Sequence, residues 1–272
     1  MSARNHSPPW QQQGLDRKQF IETCTAELSA TGVCVIQRFL PDDATAASLA
    51  NALAALPHAH PVDHEFEYDD VYGNPAGIDR ASLPANHPRN TRSLTRIRFI
   101  ARDLIAADDP VLGLHRSPWM SAFIAEVMQI PTAVPSPCPL SGCIFTVAEA
   151  GELQDWHFDS NDFIVTLMLQ APYEGGQFEY VQGLRDAEGE DDFDGVRAAF
   201  AGTHPDTQRL HLRPGDLTLF KGRYNFHRAV PVAGGQPRVM AILSFDPRPD
   251  YVARPEHLRL FYGRSEALPA SD

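Results

Sequence analysis

A chain of 272 residues with 43% apolar content can bury a full hydrophobic core and has the composition of an ordinary globular protein. Its 35 acidic residues against 23 basic ones give a formal charge of -12, which disfavours nonspecific contact with nucleic acid or an anionic membrane. No run approaches the roughly 18 apolar residues of a membrane span.

Residues 1–14 are polar, carry Pro8 and Pro9, and lack the apolar segment of a secretory signal, so they are expected to be a disordered leader before one domain at 15–272. Cys24, Cys34, Cys138 and Cys143 are scattered, with no C-x-x-C unit, and suit free thiols in a reducing compartment better than a zinc site or disulfide framework. The expected location is therefore cytoplasmic. Leu15 to Leu28 reads as a helix, with apolar positions at Leu15, Phe20, Ile21 and Cys24 and an end near Thr31-Gly32. Val33 to Leu40 is β-branched and compact, as a strand should be. Pro41-Asp42-Asp43 then opens an alanine-rich helix to about Leu56, the proline suiting a helix start and the aspartates the positive end of its dipole.

From 57 to 96 periodicity disappears, and a loop of that length reads either as a lid over a site or as a surface excursion. His60, Asp63 and His64 admit a second metal site there, against the simpler reading of exposed or hydrogen-bonded loop histidines. Arg96-Ile97-Arg98-Phe99 alternates like a strand, and residues 101–105 could turn helical. Pro118 to Val127 is helical, with Met120, Phe123, Ile124 and Val127 on one face. The proline-rich stretch 131–139 is a connector. Residues 15–140 thus read as a largely helical support.

The support leads into a β core at 141–264, whose first strand is expected at Ser141 to Ala148. Turn-strand units follow: Glu149 to Glu152 turns the chain, Phe163 to Leu169 is an apolar strand, and Gly175-Gly176 opens a shorter one at Gln177 to Val181. Arg185 to Arg209 is a polar insertion whose acidic run, Glu188 to Asp192, is most simply a solvated face. Pro214-Gly215-Asp216 turns into the strand Leu217 to Phe220, and a Gly234-Gly235 hairpin returns the chain to Arg238 through Phe245. A short helix is expected in the tail beyond Arg254. Units of this length make an antiparallel jelly roll, so the fold class is mostly β with flanking helices (α+β).

Within that core the chemistry gathers at Trp156-His157-Phe158-Asp159 and at His227. Two imidazoles and one carboxylate form the ligand face that holds non-haem Fe(II) and leaves the opposite positions open. The i, i+2 spacing of His157 and Asp159 puts both side chains on one face of an extended segment. An H-x-D triplet alone proves little, since His204-Pro205-Asp206 is another. A bidentate oxoacid and dioxygen would fill the open positions. The distal carboxylate of such a keto-acid needs a partner, and Arg238, at the start of the strand after the hairpin, offers a planar bidentate donor.

His157-x-Asp159, His227 and Arg238 resemble the motif of the Fe(II)/2-oxoglutarate-dependent dioxygenases, whose fold is a double-stranded β-helix. The runs Trp156 to Gln170, Glu174 to Val181 and Leu260 to Arg264 look like the branch containing the free-amino-acid radical halogenases and their hydroxylating relatives. The core resemblance covers about residues 141–264 and reaches loosely back toward residue 95. It implies His157, Asp159 and His227 as iron ligands, Arg238 as the 2-oxoglutarate partner, and Fe(II), 2-oxoglutarate and O2 as cofactors. In the halogenases a small residue replaces the carboxylate ligand so that chloride can take its position. Asp159 would fill that position here, which points to hydroxylation.

The branch implies a small-molecule substrate, a free amino acid, with Glu179, Asp162 and Glu152 as candidate contacts to cationic groups and Arg96 or Arg98 as candidates for its carboxylate. Arg96 and Arg98 share a face of their strand, so both point in or both point out. Asn225, two residues before His227, is a further candidate. Gln154, three residues before His157, differs from the polar residue of several relatives and weakens any transfer of lysine specificity. Two alternatives stand beside this reading: the same oxygenase chemistry on a peptide, nucleoside or other natural-product intermediate, and a metal-binding jelly roll that is not an oxygenase.

Overall fold

The computed structural model describes residues 7–68 and 79–268. Helices α1 (Pro9–Gln12), α2 (Arg17–Thr31) and α3 (Asp42–Ala55) flank the strand β1 (Val33–Ile36). A hairpin of β2 (His60–Glu67) and β3 (Arg92–Ile100) comes next, then α4 (Pro110–His115), α5 (Pro118–Met128) and the short β4 (Val134–Pro135). The remaining strands begin with β5 (Cys143–Ala148), β6 (Leu153–His157), β7 (Ile164–Gln170), β8 (Glu174–Gly175) and β9 (Phe178–Val181). After α6 (Phe193–Phe200) come β10 (Gln208–Leu210), β11 (Leu217–Phe220), β12 (Phe226–Ala229), β13 (Val232–Ala233), β14 (Arg238–Leu243), β15 (Phe245–Asp246) and finally α7 (Pro255–Tyr262).

These strands build a curled antiparallel half-barrel of the jelly-roll type, in the order β1-β11-β7-β14-β5-β3-β6-β12-β9-β10, with β2 added on β3. Strand parity divides its faces. Cys34 and Ile36, Val165 and Leu167, Leu217 and Leu219, Val239 and Ala241, and Phe145 and Val147 share one core cluster with α2 through α5. The intervening residues look the other way, where the rings of Phe178, Phe220 and His227 meet. The helices therefore brace the sheet from behind and leave its concave face for chemistry.

Local signals explain the ends of elements. Asp16 caps α2 by accepting from the Gln19 amide at 2.9 Å, and Gly32 ends the helix at φ 74°, a left-handed conformation that costs glycine little. Asp216 accepts from the amides of Arg38 and Arg213, both at 2.9 Å, which fixes the turn before β11 against the end of β1. Among the described residues no helix is long and apolar enough to cross a membrane.

Several expectations change. The leader is structured from Pro9, because Trp10 is buried against Phe20, Trp119 and Phe123; residues 1–6 lie outside the described ones. The expected strand from Val33 stops at Ile36, where the chain turns through Arg38 at φ 52°. The supposed loop 57–96 holds β2 and the start of β3, paired antiparallel, and two short helical turns, Arg80–Ser82 and Pro88–Asn90. Periodicity fails in β2 because it lies on the sheet's margin, where within the strand only Val62 is buried. The rest of the lid expectation, residues 69–78, lies outside the described ones. Ser141 to Ala148 does not open the sheet, since β1 and β3 already belong to it. The polar insertion contains α6, capped by Asp192 and packed through Val196 and Ala199 on the core's other side. The proline-rich connector also makes a two-residue pairing, Val134–Pro135 with Phe245–Asp246. The tail helix forms as expected, as α7.

Candidate active site

Antiparallel pairing places His227 directly opposite His157, so their rings share the concave face with centroids 4.1 Å apart. Asp159 lies two residues beyond the end of β6. Its backbone amide donates to the Gly222 carbonyl at 3.1 Å, which folds the carboxylate back over the imidazoles. Oδ1 is then 3.6 Å from His157 Nε2 and Oδ2 is 3.5 Å from His227 Nε2. One ligand atom from each of the three lies within 4.8 Å of the others, and no other such group of three occurs among the described residues. The second site considered at His60, Asp63 and His64 does not form, and Asp63 pairs with Arg96 at 3.0 Å.

The hydrogen bonds select the tautomer. His157 Nδ1 lies 2.7 Å from the Asp155 carbonyl and His227 Nδ1 lies 2.8 Å from the Asn225 carbonyl. A carbonyl only accepts, so each Nδ1 carries a proton, and in the neutral ring it is Nε2 that turns a lone pair toward Asp159. Burial, then the neighbouring His227, lowers the His157 pKa to about 4, so its ring is neutral and ready to ligate at neutral pH. Burial works against the charge of Asp159, but the facing His227, then His157, more than offset it when they carry a proton, so the carboxyl is held below its ordinary range and is ionised at neutral pH. Asp159 Oδ2 is buried without a hydrogen-bond partner. Neutral imidazoles, an ionised carboxylate and an unsatisfied oxygen facing one point are the donor set of a divalent ion.

Arg238 begins β14 on the face opposite the helix-packed residues Val239 and Ala241, and thus on the side of the imidazoles. Its Nε is buried without a partner, and burial lowers its pKa to about 10, which leaves it charged at neutral pH. A buried guanidinium with an unsatisfied donor fits an incoming carboxylate.

The other candidates are placed elsewhere. Arg96 and Arg98 both point outward, Arg98 pairing with Glu149 at 3.0 Å and Glu152 at 2.9 Å, so Glu152 is occupied as well. Asp162 is exposed and lies 3.4 Å from Arg223. Glu179 is buried opposite Arg228, on the reverse face of the sheet from His227, and binds Arg209 and Arg228; burial raises its pKa but the two guanidinium groups more than compensate. Its strand neighbours Phe178 and Tyr180 take the concave side, and Glu179 does not. Asn225 is buried with both amide atoms bonded, to Gly183 N–H and the Lys221 carbonyl.

A cavity beside His157 is lined by Thr95, Gln154, Phe66, Tyr68 and Phe261. Gln154 is singled out in the sequence, Phe66, Tyr68 and Thr95 lie in the stretch that reads as a lid or a surface excursion, and Phe261 lies in the run 260–264. Gly222 carries no such signal. A Cβ there would stand 1.8 Å from Asp159 Oδ2 and 2.6 Å from its Cγ, so only glycine leaves room for the carboxylate. Gly222→Ala is expected to keep the fold and weaken Fe(II) binding by roughly 10- to 100-fold, the range for residues that orient a ligand; anaerobic titration of the variant measures it.

Comparison with known proteins bears on this geometry. The family model described as "HalD: Halogenase D" matches residues 16–257. No curated protein matches. Among solved structures, the non-heme alpha ketoglutarate dependent carbocyclase SnoK from nogalamycin biosynthesis is 17% identical, with 95% of each chain covered and a TM-score of 0.57. The alpha ketoglutarate dependent epimerase SnoN from the same biosynthesis is 18% identical over 83% of this chain and 80% of that one, with a TM-score of 0.55. A prolyl-4-hydroxylase from Pseudomonas putida is 16% identical over 84% of this chain and 99% of its own, with a TM-score of 0.50. At these identities the solved structures establish a shared fold.

Proposed function

The chain belongs to the Halogenase D family and is an Fe(II)/2-oxoglutarate-dependent oxygenase, and on that premise we propose that it hydroxylates an unactivated C–H of a free amino acid. The observation that carries hydroxylation is Asp159, whose carboxylate stands where a halogenase of the resembling branch leaves room for chloride.

His157 and His227 would hold Fe(II) through Nε2 and Asp159 through a carboxylate oxygen, and Arg238 would pair with the distal carboxylate of 2-oxoglutarate. When bound, these groups would supply the oxidation, with one atom of O2 ending in succinate as 2-oxoglutarate loses CO2 and the other in the hydroxyl of the product. The chain's own work is placement. Asp155 and Asn225 carbonyls orient the imidazoles, Gly222 seats the carboxylate, and Phe178 and Phe220 exclude water around His227. The substrate would enter beside His157, through the cavity lined by Thr95, Gln154, Phe66, Tyr68 and Phe261. The buried, free cysteines accord with a reducing, cytoplasmic setting.

A second reading keeps the chemistry and changes the substrate to a larger natural-product intermediate, favoured by the carbocyclase and epimerase among the structural neighbours. One experiment separates the two. In a mixed amino-acid reaction with Fe(II), 2-oxoglutarate and chloride, mass spectrometry is expected to find a product heavier by one oxygen. A chlorinated product would overturn the argument from Asp159, and no amino-acid product with intact metal binding would favour the larger substrate.

A further inference from the structure

Resting on the iron reading above, we infer that the Asn225 side-chain amide is a positioning residue that sets two of the three metal ligands at once. The turn from Lys221 to Asn225 carries a contact to a ligand near each end. Near its start Gly222 receives the Asp159 amide at 3.1 Å and leaves the carboxylate its space. At its finish the Asn225 carbonyl takes the His227 Nδ1 proton at 2.8 Å. The distance between Asp159 and His227 therefore depends on the shape of this turn.

One planar group closes the turn. Asn225 Nδ2 donates to the Lys221 carbonyl at 2.9 Å, across the turn, while Oδ1 accepts from the Gly183 amide at 2.9 Å, just beyond β9. The same carbonyl of Lys221 also receives the backbone amides of Tyr224 and Asn225, and Lys221 N–H donates to the Gly32 carbonyl at 3.0 Å. From the outside Gly32, at the end of α2, packs so closely on the amide that a Cβ would lie 2.4 Å from Nδ2. An amide alone supplies a donor and an acceptor in this arrangement: aspartate would set an acceptor against the Lys221 carbonyl, and leucine would satisfy neither partner. Since both amide atoms are engaged, Asn225 acts through His227 and Asp159 and not on substrate.

The test is anaerobic titration of the metal-free full chain with Co(II), read by its visible ligand-field bands, alongside thermal unfolding of the metal-free protein. For Asn225→Ala the expected result is a roughly 10- to 100-fold weaker Co(II) affinity and an altered band pattern in protein that remains folded. A residue that merely supported the fold would lower the unfolding temperature and leave the folded fraction's affinity and bands unchanged, and that result would overturn the inference. Gly32→Ala gives a second approach, pushing on Asn225 Nδ2 from α2 without touching a metal ligand; because Gly32 sits at φ 74°, its thermal unfolding is recorded as well and the bands are compared in the folded protein. It is expected to shift the same bands in the same direction and stands in if Asn225→Ala does not fold; unchanged bands would again overturn the inference. Failure of the unmodified chain to bind Co(II) would instead sink the metal-site reading beneath it.

Discussion

Asp159→Ala is expected to weaken Fe(II) binding by more than about 100-fold, beyond what is lost when only a ligand's hydrogen-bond partner is removed, and to abolish turnover. The carboxylate is the one anionic donor facing the two neutral imidazoles, so its loss removes both a ligand and the charge that opposes the ion. Anaerobic addition of Fe(II) and 2-oxoglutarate should give the unmodified chain a weak visible charge-transfer band and leave the variant colourless. The variant should fold, because Asp159 lies beyond the end of β6 and its carboxylate takes no part in the strand pairing or the apolar core. The pH dependence has a definite sign. A proton competes with the metal for His157 Nε2, and with that pKa lowered to about 4 the competition begins only as the pH falls well below 6. The loss of Fe(II) affinity that proton competition at His157 causes should therefore set in only as pH 4 is approached. A band that persists in Asp159→Ala would remove the carboxylate from the proposed ligand set.

The triad could be read in the sequence because its ingredients are local: an H-x-D pair in an extended run, and a histidine after a strand bounded by turns. The apolar strands β7, β11 and β14 were legible for the same reason, their patterns being dictated by a helix-packed face. What escaped depended on direction. Alternation tells that Arg96 and Arg98 share a face, but not that β3 turns that face outward to Asp63, Glu149 and Glu152. Glu179 failed likewise, since the partner that fixes its side, Arg228, comes from a strand far along the chain. The irregular register between His227 and Ala229 shifts Gln154 onto the same side as His157, against simple parity. β2 escaped because a marginal strand buries too little to impose a pattern. Gly222 and Asn225 are short-range in sequence to His227, yet their roles lie in contacts with Asp159, Gly183 and Gly32 that only the assembled turn creates.

Arg238→Met should move stability and function in opposite directions. In the unliganded chain this side chain is half-buried on the concave face, its Nε is buried without a partner, and burial alone depresses its pKa to about 10, so its charge is held at a cost. Methionine matches much of its length, keeps the packing beside Gly176, and carries no charge to desolvate; the metal-free variant is expected to be more stable by on the order of 1 kcal/mol, visible as a higher unfolding temperature. 2-Oxoglutarate reverses the sign. The iron's two charges and the one on Arg238 balance the one on Asp159 and the two on the keto-diacid, so the full complement is neutral and the variant strands a carboxylate against a thioether. Losing one partner of such a buried pair costs about 2–5 kcal/mol, which is about a 30-fold to several-thousand-fold loss in 2-oxoglutarate affinity, while Co(II) binding to the triad should hardly change. That combination distinguishes a binding arginine from a structural one. If Arg238 served the fold, methionine would lower the unfolding temperature and leave 2-oxoglutarate affinity intact, and the far carboxylate would need another partner.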